Sequence, residues 1–362
     1  MKVLLTTIVD NVNYGTYLQG YATVKILQDR GCEVDVLNYT RPHLNRKNML
    51  AKAKSNGLKS YLRGMVTVGL DAYMKYNLKK FLFRKAHTTI GFTDWTKFRE
   101  TLPEYDLYLV GSDQVWNSTH NHGIDGVFFY EGVNGRKASY ASSVGIESFP
   151  QEQYAQIKQL LGEFSQISVR ESFGVEALKS LGFENVSQVL DPTLMLTGDE
   201  WRKVCGKRFK KTEPFLLVYS VEVNRDKETI EIARKIAGER GLKVYLISPY
   251  VKFNSKLNVD KLFSMADTDT FLALFSEADY AVVSSFHGTA FAINFGCQFV
   301  TVSPERFSTR VQSILKLLKL EDRYVKTIDE VPHSDIDYSE VNKILDANRL
   351  ESSKVIDNII NY

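Results

Sequence analysis

The sequence predicts an α/β protein of two domains, each a parallel sheet covered by helices on both faces. Three observations point there. Short apolar runs of strand length alternate with stretches of helical periodicity along most of the chain. That alternation pauses once, around residues 190–213, where Pro192 and Gly198 punctuate a linker with a short helix. The chain's 362 residues also exceed what one ordinary hydrophobic core organises. The expected division is 1–190 for a first domain, 191–335 for a second and 336–362 for a C-terminal helix.

In chain order, KVLLTTI (2–8) predicts a buried strand, and the polar turn DNVNYGT leads into a helix over 17–31 that Gly31 ends. CEVDVLNY follows as a second strand, completing a βαβ unit. After a basic segment come a helix at TDWTKFRETL and strands at DLYLVGS (106–112), ASYASSVG (138–145) and QISVR (166–170). The helix ESFGVEALKSLG and the strand SQVLD close this series. The second series runs strand PFLLVYSV, helix 227–241, strand KVYLIS, helix 269–279, strand YAVVSS, helix GTAFAINFG, strand FVTVS and helix RVQSILKLLK. Strands alternating with helices at this spacing give Rossmann-like domains, in which ligands bind outside the carboxyl ends of the strands. Two such domains of similar size imply a central cleft. The tail from Ser339 to Ile360 is an amphipathic helix able to pack on either domain.

Composition narrows the function. At 44% hydrophobic and 25% charged residues the chain is of ordinary soluble character. Cys32, Cys205 and Cys297 match no motif spacing, which fits a reducing compartment and argues against a disulfide framework or a zinc cluster. The opening MKVLLTTIVDN has too short an apolar run for a signal peptide, and no stretch approaches the ~18 uncharged apolar residues of a membrane span. The expected location is the cytoplasm. Net charge is +3, yet twelve Lys or Arg and a single acid, Asp71, fall between Arg41 and Lys85. Apolar residues from Leu62 to Leu82 recur there at helical spacing. This insertion, 41–90, is either a solvated helix face or a surface for an anionic membrane or pyrophosphate head group, and thus a peripheral contact with the cytoplasmic face of the inner membrane through 41–85. No nucleic-acid-binding module accompanies the charge, so nucleic acid is not an expected partner.

Three polar motifs follow strands: NYG after the first, GSDQVWN after 106–110 and SSFHG after 281–283. SSFHG places Ser284, Ser285 and His287 where a strand hands over to a helix that starts with Gly288 and Thr289. First-turn amides and the helix dipole suit a phosphate or carboxylate there, and a histidine can hold that anion or pass a proton. The competing reading makes Ser285 or Thr289 a helix cap and His287 a packing residue. GSDQVWN presents Gly111, Ser112, Asp113, Gln114 and Asn117 after another strand. Gly111 permits a tight turn, and Asp113 is either a base for a sugar hydroxyl or a cap; Trp116 reads as a core anchor. Arg170, at another strand end, suits an anionic group or an ion pair with Glu171 or Asp191. Asp267-Thr-Asp269 immediately precedes a helix, so capping explains it better than metal-dependent sugar transfer. His120-Asn-His122 lacks a third ligand at a recognised spacing. Phosphate-loop, dinucleotide, zinc-protease and serine-hydrolase fingerprints are absent from the sequence.

Together, the NYG at 13–15 with LQGYA, then VGSDQVWN, ASYASSVG, SVRESFGVEALKSLG, VLDPTLML and SSFHGTAFAINFG resemble, in that order, the polysaccharide pyruvyl transferases. The likeness extends to about RVQSILKLLKLEDR. It implies a GT-B-like fold without cofactor or metal. It also implies transfer of the enolpyruvyl unit of phosphoenolpyruvate to a sugar of a cell-surface polysaccharide such as capsule or exopolysaccharide, or of its lipid-linked precursor, as a pyruvate ketal. In some members an R-x-H arrangement binds or activates the donor; His287 matches that histidine, and Ser285 stands where the arginine would be. Arg170, Arg306 or Arg310 would then supply the charge. The implied roles are His287 for donor phosphate and proton transfer, Arg170 for an anionic group and Asp113 as hydroxyl base. Asn13 and Tyr14 would help line the acceptor side. The alternatives are a GT-B-type nucleotide-sugar glycosyltransferase and a non-catalytic glycan-binding scaffold.

Overall fold

The computed structural model describes residues 1–84, 88–92, 94–221, 226–250, 257–303 and 308–361. The chain divides into two compact units, residues 1–192 with 353–362, and residues 193–352. The first contains seven strands: β1 (Lys2–Thr6), β2 (Glu33–Asn38), β3 (Thr88–Gly91), β4 (Leu107–Val110), β5 (Lys137–Ser139), β6 (Phe164–Val169) and β7 (Val186–Gln188). They form one sheet in the order β3-β2-β1-β4-β5-β6-β7, with every neighbouring pair parallel.

The second unit holds β8 (Phe215–Tyr219), β9 (Lys243–Ser248), β10 (Lys261–Ser264), β11 (Tyr280–Val283), β12 (Gln298–Val302) and β13 (Tyr324–Val325). Their order is β10-β9-β8-β11-β12-β13, again all parallel. Both sheets thus repeat the doubly wound order, in which the strand sequence reverses direction beside the first strand. The reversal falls between β1 and β4 in one unit and between β8 and β11 in the other. These four strands are buried on both faces, with the single exception of Lys2, which is why they read as unbroken apolar runs.

Three strands escape the sequence pattern. β3, β10 and β13 are short, and each lies at an edge of its sheet. An edge strand is defined by one hydrogen-bonding neighbour more than by its own side chains, so its periodicity is faint. Two helix starts also shift. The first helix spans Tyr14–Gln28, capped by the Asn13 side chain accepting from Gly15 N at 2.9 Å. The helix after β11 spans Phe286–Asn294, which puts His287 inside its first turn and not ahead of it.

The basic segment forms two helices, Arg46–Ser55 and Leu58–Leu82. The longer one packs on Tyr14–Gln28 through Leu82 beside Gly20 and through the rings of Phe81 and Tyr21, 4.9 Å apart. Helix Tyr14–Gln28 is therefore covered nearly all round, with only Lys25 and Gln28 not buried. Arg41, the first cation of the segment, is itself buried and makes a bidentate pair with Asp10, its Nη2 2.7 Å from Oδ1 and its Nε 2.9 Å from Oδ2. The final helix, Tyr338–Asn361, begins in the second unit and ends in the first. There Arg30 Nε meets Asp357 Oδ1 at 2.6 Å.

Candidate functional site

In the first unit, the loops after β1, β4, β5 and β6 meet at the sheet's reversal point. The chain leaves β4 through Gly111, which lies so close to β1 that an added Cβ would sit 2.9 Å from Leu5 Cδ1. The left-handed backbone of the turn falls two residues later, on Asp113, at φ 71°. A non-glycine residue there carries about 1–2 kcal/mol of strain, which surrounding contacts must hold in place. Those contacts are present. Thr16 Oγ1 donates to Asp113 Oδ2 at 2.8 Å, Gln114 N donates to Asp113 Oδ1 at 2.9 Å, and Ser143 N donates to the Asp113 carbonyl at 3.0 Å. Ala141, after β5, is also left-handed at φ 55°, and beyond it Ser142 bridges Asp113 on one side and Val169 on the other. The expected strand 138–145 is cut short at this kink.

Arg170 sits at the end of β6 with its side chain 1% exposed. Its Nε donates to Glu171 Oε1 at 2.8 Å and its Nη1 to Asp191 Oδ2 at 2.8 Å, while Nη2 lies 3.9 Å from Asp113 Oδ1. Burial works against its charge, but Glu171, Asp191 and Asp113 outweigh that and hold its pKa above the ordinary arginine value. Ser112 Oγ donates to Asp191 at 2.8 Å, and Ser143 Oγ donates to Glu171 at 2.5 Å. One guanidinium thus stands among three buried carboxylates. Arg170 makes both ion pairs that the sequence offered as alternatives to an anion clamp.

Gln114 and Asn117 are turned inward. Asn117 Nδ2 donates to Gln114 Oε1 at 2.7 Å, and a Cβ on the nearby Gly145 would meet Asn117 Nδ2 at 2.5 Å. Trp116 is a core residue, stacked on Phe129 with its indole N–H donated to the Phe128 carbonyl at 2.9 Å. Asn121 fastens the loop by donating to the Gln114 and Val115 carbonyls and accepting from Arg41 Nη1 at 2.7 Å. Asn13 is the helix cap described above, and Tyr14, the residue after it, is fully buried.

The second unit presents a cluster of another kind. Ser284 and Ser220, at the ends of β11 and β8, join by their hydroxyls at 3.1 Å across the reversal point. Ser285 caps helix Phe286–Asn294, its Oγ accepting from Gly288 N at 3.0 Å. Thr289 Oγ1 donates to the Ser285 carbonyl at 3.0 Å and lies 2.8 Å from Thr301 Oγ1, which ties the first turn to β12. A Cβ on Gly288 would sit 3.0 Å from Tyr219, Val283 and Ser285 atoms, so the helix start is pressed against β8 and β11. Behind it Phe291 packs edge-on against Trp201 and Phe271, at 5.2 and 5.4 Å between ring centroids. His287 is 4% exposed and its ring meets Phe286 edge-on. The amides of Phe286 and His287 precede any acceptor within the helix, at its positive end.

The candidate residues fall into these two groups, Gly111, Ser112, Asp113, Gln114, Asn117, Arg170, Asn13 and Tyr14 in one unit, and Ser284, Ser285, His287, Gly288 and Thr289 in the other. The sequence reading passed over Thr16, Ser143 and Asp10. The serine pair of ASYASSVG was the one available signal, since adjacent small hydroxyls after a strand suit a crowded polar turn. Of the other cations considered, Arg306 lies outside the described residues and Arg310 stands on helix Ser308–Leu317. Asp267 caps helix Thr268–Glu277 by accepting from Thr270 N at 2.9 Å. Among the described residues no group of three His, Cys, Asp or Glu side chains is placed to hold a metal.

Comparison with known proteins extends this. A family profile described as polysaccharide pyruvyl transferase matches residues 13–306. No curated protein matches the chain. Among solved structures, the S. aureus MnaA–UDP co-structure superposes with a TM-score of 0.54 at 12% identity, covering 97% of this chain and 89% of that one. UDP-GlcNAc 2-epimerase from Neisseria meningitidis gives 0.54 at 10% identity, covering 99% and 100%. A trehalose-6-phosphate synthase gives 0.52 at 11% identity, covering 100% and 99%. These likenesses concern the fold, and the GT-B-like class of two parallel-sheet α/β domains is the one observed.

Proposed function

The chain belongs to the polysaccharide pyruvyl transferase family, and on that premise we propose that it moves the enolpyruvyl unit of phosphoenolpyruvate onto two hydroxyls of a sugar. The product is a pyruvate ketal on a cell-surface polysaccharide or its lipid-linked precursor. The observation that carries this reading is Asp113, a buried carboxylate held in a left-handed turn at the sheet's reversal point. A left-handed residue whose carboxylate is fixed by neighbouring loops supports a group kept in place for chemistry.

In the proposed reaction the methylene carbon of phosphoenolpyruvate takes a proton, which makes C2 an oxocarbenium-like electrophile. One sugar hydroxyl adds to C2 and phosphate leaves. The neighbouring hydroxyl then closes the ketal. Of the two hydroxyl protons, one is balanced by the new methyl group and the other by the released phosphate. Asp113 is the proposed base for a hydroxyl, and His287 the group that holds donor phosphate and moves a proton. The amides at the start of helix Phe286–Asn294 support anion binding there. The three carboxylates around Arg170 favour a positioning role for it, holding Asp113 in register, over direct contact with an anionic substrate.

The test is incubation with phosphoenolpyruvate and a panel of lipid-linked sugars, following phosphate release and product mass. Ketal formation is expected with wild type. In Asp113→Asn the rate should fall by about 10²–10⁴. Nucleotide release from a nucleotide sugar, with no phosphate from phosphoenolpyruvate, would replace this reading with glycosyl transfer. Binding of phosphoenolpyruvate without turnover would indicate a non-catalytic scaffold.

A further inference from the structure

Helix Leu58–Leu82 has two apolar faces, and the first unit uses one of them. Val68, Met74, Leu78, Phe81 and Leu82 are buried toward the body of the unit. On the opposite side Leu58, Leu62, Met65, Val66, Tyr73 and Tyr76 are between 41% and 74% exposed. Steps of three and four residues, with Gly69 between Val66 and Tyr73, align these six in one stripe. At 1.5 Å per residue the stripe is roughly 27 Å long.

The exposed charge on this helix and the one before it has a single sign. Lys59, Arg63 and Lys80 are exposed on the same helix, and Lys47, Lys52 and Lys54 on the helix before it. Between residues 41 and 84 no Asp or Glu is exposed, since Asp71 is half-buried and is the only acid there. Elsewhere the chain carries more acids than bases, so this surface stands apart.

We propose that this face lies on an anionic lipid bilayer. The stripe would sit at the headgroup–acyl boundary, with its two tyrosines in the interfacial layer and the flanking cations against lipid phosphates. No helix among the described residues is long and apolar enough to cross a membrane, so the contact is peripheral. A second copy of the chain is the poorer occupant. A two-fold contact on this stripe would bring the same cations face to face.

Co-sedimentation of the full chain with vesicles tests this without donor or acceptor, so its failure leaves the proposed reaction standing. Wild type should bind vesicles of equal parts phosphatidylglycerol and phosphatidylcholine and not phosphatidylcholine alone, and should come off as salt rises. Removing Lys59, Arg63 and Lys80 as glutamines should weaken binding about fivefold per charge, roughly a hundredfold for the three. Leu62→Glu with Val66→Glu should abolish it, with circular dichroism unchanged because both side chains are exposed. Equal binding by wild type and either variant overturns the proposal. So does a wild-type dimer that the double glutamate variant splits, with no binding to anionic vesicles.

Discussion

The two reversal points are built on one plan and filled in opposite ways. In both, residues after the first strand and after the strand beyond the reversal are bridged by a side-chain hydroxyl: Thr7 donates to the Ser112 carbonyl at 2.8 Å, and Ser284 donates to Ser220 at 3.1 Å. The first then places a guanidinium among three carboxylates and locks every loop to its neighbour. The second places hydroxyls, a histidine and a helix start, with no charged side chain among its candidate residues. A closed ionic network fixes geometry, because each buried charge depends on its partners. The second cluster has no Lys, Arg, Asp or Glu among its candidate residues and lies at the positive end of a helix, where negative charge is favoured. Under the proposal above, the first cluster would serve a sugar hydroxyl through Asp113 and the second the donor phosphate through His287.

Substitutions can break that contrast. The largest effect on stability is expected at Arg170. Arg170→Met leaves Glu171, Asp191 and Asp113 buried without their cation and should cost about 3–5 kcal/mol in urea unfolding. A loss below about 1 kcal/mol would mean that the network is not the scaffold described here. His287→Ala should do the reverse, lowering kcat/KM for ketal formation by about 10²–10⁴ while the thermal midpoint stays within a few degrees. Unchanged turnover would remove His287 from the chemistry. Ser285→Ala deletes the cap on the same helix and should cost about 1 kcal/mol, seen as a midpoint lower by roughly 2–4 °C.

The smallest effect sharpens the comparison at an exposed ion pair of the second unit. Burial raises the Asp267 carboxyl, but hydrogen bonds from Lys207 and Thr270 outweigh it and hold the carboxyl below its ordinary 3.8. A lowered folded value means stability that is present above 3.8 and lost as pH falls through the folded value. Asp267→Asn keeps a capping oxygen and drops the charge. Its urea midpoint should therefore lie slightly below wild type near neutrality and converge with it in acid. A constant difference across that range would show that the cap, and not the pairing, carries the contribution.

Much of the framework was legible without coordinates. Runs such as LYLV and YAVV are central strands because both faces are covered, and continuous apolarity shows this directly. Caps were legible too, since Ser285 and Asp267 act on amides three residues away. Three of the four edge strands, β3, β10 and β13, were not, because their identity comes from the neighbour they pair with. Nor was the left-handed turn at Asp113, because Asp is common in turns of several kinds and its contacts here come from distant segments, Thr16 and Ser143.

What the sequence determined by itself was therefore local: strand and helix alternation, helix ends, and the order of the polar motifs at strand ends. These follow from periodicities and from contacts a few residues apart. What only the tertiary structure decided was how the charges are spent. Arg41 sits in the basic segment yet is closed off by Asp10, and Arg170 is matched by Glu171, Asp191 and Asp113. Pairing of that kind depends on chain segments far apart in sequence meeting where water is excluded, and there the energy of a charge is set by whichever group lies within about 4 Å.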